Sequence, residues 1–83
     1  MPSQPPLPLG TVTIDARQIL ERDEEPLPAI EEAWGRLPSG GHLFICAPFM
    51  PLPLIAVFSG RGIQAQPGSS GPEDHWLLLG PKP

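Results

Sequence analysis

The side chains able to do chemistry are few here, and their spacing limits what each can offer. Cys46 is the single cysteine of the chain. A thiol there acts as a nucleophile or persulfide carrier only when a neighbouring charge or helix end lowers its pKa, and no base adjoins it in "LFICAP". Cys46 is therefore expected to be a small apolar residue inside or at the end of a strand. His42, Cys46 and His75 are the side chains that would have to converge on a metal, but they lack the close paired spacing of a zinc site, so no metal and no other cofactor is expected. Asp15 and Arg17 share one face at the end of an extended "TVTIDAR". There they can pair with each other or grip a carboxylate bidentately, and a structural role at the strand-to-loop corner accounts for them without a ligand. Asp74 beside His75 supplies two residue types of a catalytic triad, yet neighbours in a strand point apart and no serine stands in a nucleophile elbow. No catalytic constellation results, and no enzymatic activity is expected.

The elements that must hold these residues are bounded by length. Eighty-three residues make one small domain that buries a modest share of its surface. With 40% hydrophobic residues and a formal charge of −4 the chain is too apolar and too weakly charged to be disordered, although 14 prolines and nine glycines call for many turns. Five basic residues against nine acidic ones leave no cationic footprint for nucleic acid or an anionic membrane surface. The N-terminus lacks the charged-then-apolar layout of a signal peptide, and a lone cysteine forms no internal disulfide, so a cytoplasmic setting is expected.

Residues 1–10, "MPSQPPLPLG", read as a disordered proline-rich tail, since prolines remove backbone donors and favour extended chain. "TVTIDAR" alternates Val12 and Ile14 with polar residues, the period of a half-buried strand. "PLPAIEEAWGRL" puts Leu27, Ile30, Trp34 and Leu37 on one helical face, with Asp23, Glu24 and Glu25 ahead of its start as capping carboxylates. "HLFICA" is a continuously apolar strand, and strand, helix and strand at this spacing predict a right-handed unit with parallel strands. Pro48 ends that strand, while Pro51 and Pro53 suit the first turn of a helix over "LPLIAVF", which divides the apolar run Leu43 to Phe58 in two. That run is also too short to cross a bilayer, which takes roughly 20 residues. "GIQAQ" and "HWLLLG" are further strands joined by a turn at "PGSSGPED", and 81–83 form a loose C-terminus. The order βαβαββ predicts a single α+β domain over 11–80, a two-layer sandwich with two helices on one face of a mixed four-stranded sheet. Val12, Ile14, Ile30, Trp34, Leu37 and Leu54 are its expected core.

"IDAR", an acidic and proline-bearing helix start, and "LPSGGHLFI" at the entrance to the second strand resemble the TusA-like sulfur-carrier superfamily. Within it, "MPLPLIAVF" and "GPEDHWLLLG" are most similar to the uncharacterised domain-of-unknown-function family 2249, with the similarity running from about Thr11 to Leu79. The resemblance implies a carrier-like fold, and two departures from the family patterns imply lost chemistry. Sulfur carriers present a cysteine in a Cys-Pro-x-Pro motif at the start of their first helix; here "DEEP" puts Asp23 in the cysteine's place and Glu24 in that of the first proline, keeping only Pro26. A carboxylate holds no persulfide. Members of the uncharacterised family often carry Asp-His-Asp-Pro after the second strand, where this chain reads "PFMP", so Pro48, Phe49 and Met50 replace three polar groups. A noncatalytic binding or protein-interaction module is the expected function, with a sulfur-transfer or redox protein using Cys46 as the alternative.

Strand parity locates the expected contact surface. If Val12 and Ile14 face the helices, Thr11 and Thr13 face away, whereas "LFIC" and "WLLL" are apolar at every position and must expose apolar groups on the uncovered face as well. The expected partner, a second copy or another protein, docks on that stripe. One of Leu77 and Leu78 points outward, and the Phe49–Met50 loop adds a smaller contact. Asp15, Arg17 and Asp23 are the polar groups expected nearest to a binding site.

Overall fold

A computed structural model describes residues 7–83 of the chain. Its elements run β1 (Val12–Asp15), α1 (Ala16–Glu21), α2 (Pro26–Arg36), β2 (Leu43–Ala47), α3 (Leu52–Gly60), β3 (Ala65–Gly71) and β4 (Asp74–Leu79). The strands form one mixed sheet in the order β1-β2-β4-β3, with β1 and β2 parallel and both pairings of β4 antiparallel. This is the expected α+β two-layer sandwich, with three helices instead of two.

The additional helix, α1, begins where the first strand was expected to continue. Asp15 caps it, its carboxylate accepting a hydrogen bond from the Arg17 backbone at 3.0 Å. Ala16 and Ile19 on its inner side are buried. The helix ends in a Schellman motif: the Asp23 amide donates to the Leu20 carbonyl and the Glu24 amide reaches back to Ile19 at 3.2 Å. Asp23 adopts the left-handed conformation this requires, φ 56°. Asp23 therefore terminates α1 and does not cap α2, as had been expected. The N-cap of α2 is Glu25, whose side chain makes no capping bond.

Every second residue of β2 and β4 enters the core. Leu43 and Ile45 of β2 pair in register with Leu79 and Leu77 of β4, and all four are fully buried together with Ile30 and Phe58 from the helices. Trp34 packs edge-on against Phe58, ring centroids 5.7 Å apart, and Leu37 and Leu54 complete the contact between layers. Arg61 lies over the Phe58 ring and pairs with Glu31, tying the end of α3 to α2. Val12, expected in this core, is 43% exposed. It opens a four-residue edge strand, where only one neighbour can cover it.

The third strand also departs from expectation. "PGSSG" belongs to β3, which runs on to Gly71, and the connection to β4 shrinks to Pro72 and Glu73. The residues that read as a turn suit an edge. Pro67 needs no ladder donor on the outer side, and the register shift between Ser69 and Gly71 bends the strand. Gly68 is required by packing, because a Cβ there would lie 2.0 Å from the Trp76 ring.

At the C-terminus, 81–83 are tied down where a loose end was expected. Lys82 exchanges backbone hydrogen bonds with Gly40 and Gly41, and its ammonium donates to the Gly35 and Leu37 carbonyls at the end of α2. Most of the tail expected over 1–10 lies outside the described residues. At its inner end Thr11 closes a turn onto the Pro8 carbonyl.

Candidate functional site

Two concavities lie on opposite sides of the sheet. The first is a cleft of about 280 Å³ on the face without helices, lined by Arg17, Phe44, Cys46, Asp74, His75 and Trp76 among others. Arg17 grips Asp15 with Nε on one oxygen at 3.0 Å and Nη2 on the other at 3.3 Å, and reaches Asp74 at 3.4 Å. The hydrogen bond from Arg17 holds the Asp15 carboxyl below the usual carboxylate range, and the same pairing raises the guanidinium. Arg17 is thus spent on internal partners. The expected pairing of Asp15 with Arg17 is present, although Arg17 belongs to α1 and not to the strand.

Cys46 sits half-buried between Asp15 and Trp76 in the ladder. Burial pushes its thiol up, and the carboxylates of Asp15 and Asp74 add to that effect against the pull of Arg17. Such an environment keeps the sulfur protonated at neutral pH, the opposite of an activated nucleophile. His75 lies opposite Ala47 at the far end of β2, its Nε2 3.0 Å from the Pro72 carbonyl, whereas His42 precedes the start of the same strand. The two imidazoles stand at opposite ends of β2. Among the described residues no three His, Cys, Asp or Glu side chains group as metal ligands.

The outer face carries the apolar stripe that parity demands, but it is not open. Leu78 points outward and Leu77 is fully buried in the core, which removes Leu77 from the expected contact surface. Phe44 is only 2% exposed, stacked on Trp76 with centroids 5.8 Å apart, and Leu78 is half-buried. Large apolar side chains are instead exposed elsewhere, notably Phe49 at 51% and Leu52 at 65%.

Phe49 marks the second concavity, a groove of about 390 Å³ at the C-terminal ends of the parallel strands β1 and β2. Its walls come from three helices: Ala16 and Leu20 of α1, Leu27 at the start of α2, and Leu54 and Val57 of α3, with Phe49 from the β2–α3 loop. Among the described residues Glu25 is the one ionisable side chain lining it. The local sequence explains the opening, because Pro26, Pro51 and Pro53 each start a helix beside it and project rings in place of amide donors. A lining of this kind buries apolar groups and supplies no nucleophile or acid–base pair.

Of the residues expected at a site, Phe49 lines the groove and Met50 lies half-buried beside it, its carbonyl accepting from Leu52. Asp23 lies in the acidic stretch leading to Glu25. Asp15, Arg17 and Cys46 gather on the opposite side of the sheet. The groove's other walls escaped sequence reading, although one signal pointed there: crevices in α/β folds open beyond the carboxyl ends of parallel strands.

Residues 13–81 fit the family described as Uncharacterized conserved protein (DUF2249). Neither the curated proteins nor the solved structures contain a match.

Proposed function

We propose that this chain, which belongs to the DUF2249 family, is a noncatalytic binding module that holds a partner in the groove between the starts of α2 and α3. One observation carries the reading: an open, almost wholly apolar groove beside Phe49, a large aromatic that remains half in water. Leaving such a side chain exposed costs hydrophobic free energy that a partner recovers on docking. The exposed apolar groups favour this site over the outer sheet face.

The absence of carrier chemistry belongs to the same proposal. If the chain shares the TusA-like ancestry that its motifs suggest, Asp23 at the carrier position serves as the turn that ends α1. The raised Cys46 thiol argues against its use as a substitute carrier. A cytoplasmic setting, where thiols stay reduced, accords with the free cysteine.

The test is capture from the native cell with wild-type chain and with Phe49→Asp as parallel baits, followed by rebinding of the captured protein in purified form. A partner that binds the wild type directly and is lost with the variant supports the module. Persulfide transfer from a cysteine desulfurase to Cys46 at a catalytic rate would overturn it.

A further inference from the structure

The charge beside the groove narrows the partner. Glu21, Asp23, Glu24 and Glu25 precede α2 with Arg22 as their sole cation, and the Arg22 Nε is already 3.1 Å from Glu24. Among the described residues no ion pair engages Glu21, Asp23 or Glu25. The start of α2 does little to offset them, since Pro26 and Pro28 remove two of its first three amides. That same loss makes the helix end a poor seat for an anion. An apolar trough thus remains with the Glu25 carboxylate in its wall, at the end of an acidic segment.

The rim indicates the size of the occupant. Phe49, 51% exposed, lines the groove from the β2–α3 loop, so an occupant must extend over that side chain. A polypeptide segment laid along the groove can cover Phe49 and still reach Glu25, which lines the same groove.

We propose that the occupant is an apolar segment of another protein that carries lysine or arginine at one end, its apolar side chains between α1 and α3 and its cation against Glu25. This rests on the groove being the binding site. Charge complementarity of this kind fixes the direction in which the segment lies and speeds its encounter with the groove.

Peptide display on the full chain tests it. Enriched peptides are expected to combine two or three large apolar residues with a terminal cluster of Lys or Arg. The best of them, synthesised and titrated calorimetrically, is expected to bind Glu25→Lys at least roughly two- to fivefold more weakly, the range for one exposed ion pair, and to lose affinity in high salt. Phe49→Asp is expected to abolish binding. If the enriched peptides lack cations, or Glu25→Lys and salt change nothing while Phe49→Asp still abolishes binding, the cationic partner is refuted and the groove reading stands. Indifference to Phe49→Asp refutes both. A dimer in sedimentation equilibrium that Phe49→Asp dissociates makes a second copy the occupant and likewise refutes the proposal.

Discussion

Gly68 and Asp23 are two positions where a single atom or angle decides the outcome. At Gly68 an added methyl would meet the Trp76 ring at 2.0 Å. Gly68→Ala is therefore expected to displace the indole and cost about 1–3 kcal/mol, the range for overpacking. Urea unfolding followed by tryptophan fluorescence checks this, with a changed native emission as the second sign. Asp23 holds φ 56° at the end of α1, a conformation disfavoured for residues with a Cβ. Asp23→Gly is expected to raise the urea midpoint by the equivalent of about 0.5–1 kcal/mol at unchanged slope. Cys46, with its thiol pushed up by burial, is expected to react slowly with iodoacetamide at neutral pH, its rate still climbing with pH beyond the ordinary thiol pKa of about 8.5, where an unperturbed thiol levels off.

Helix ends are where the elements lean on distant parts of the chain. The last carbonyls of α2 receive the Lys82 ammonium, at 3.0 Å to Gly35 and 2.8 Å to Leu37, a charge placed favourably at the negative end of the helix. Lys82→Ala is expected to cost about 1–2 kcal/mol, measured by denaturant midpoint, because two carbonyls lose a charged donor together. An unchanged midpoint would mean that water replaces the ammonium at no cost. At its other end α2 presents prolines to the groove, so a helix otherwise ordinary in its packing leaves an apolar wall there.

For the molecule as a whole, stability rests on one core between the sheet and its helices, and its pH dependence on few groups. The Asp15 carboxyl titrates below its unfolded value of about 3.9 because Arg17 favours the ionised form. Its contribution is therefore complete above that value and is lost as pH falls toward and through the lowered folded value. Comparing wild type with Asp15→Asn, the stability difference is expected to stay constant above about pH 5 and to narrow below about pH 4. Trp34, 8% exposed and edge-on to Phe58, joins the two layers. Its replacement by alanine is expected to cost roughly 3–5 kcal/mol, a large part of the 5–15 kcal/mol typical of such domains.

The layer order was legible in the sequence because periodicity is a local property. Ile14 between polar neighbours in β1, Ile30 and Trp34 four apart in α2, and prolines dividing "LFICAPFMPLPLIAVF" each mark an element or the side of it that meets the core, whereas Val12 in the same alternation stays exposed at the sheet edge. The short α1 was legible too, had Asp15 three residues before Gln18 been read as a capping pair. Tertiary structure alone decided the rest. Glycine and proline in "PGSSG" read as a turn until Trp76 is placed above Gly68, and Lys82 belongs to a loose end until α2 brings its carbonyls near. Parity left one of Leu77 and Leu78 outward, and only the register of β4 against β2 chose Leu78. The groove is the extreme case. Its walls come from α1, α2, α3 and the loop after β2, segments separated along the chain. No window of sequence contains it, because burial on one side and exposure on the other exist only once three helix ends meet at the edge of a sheet.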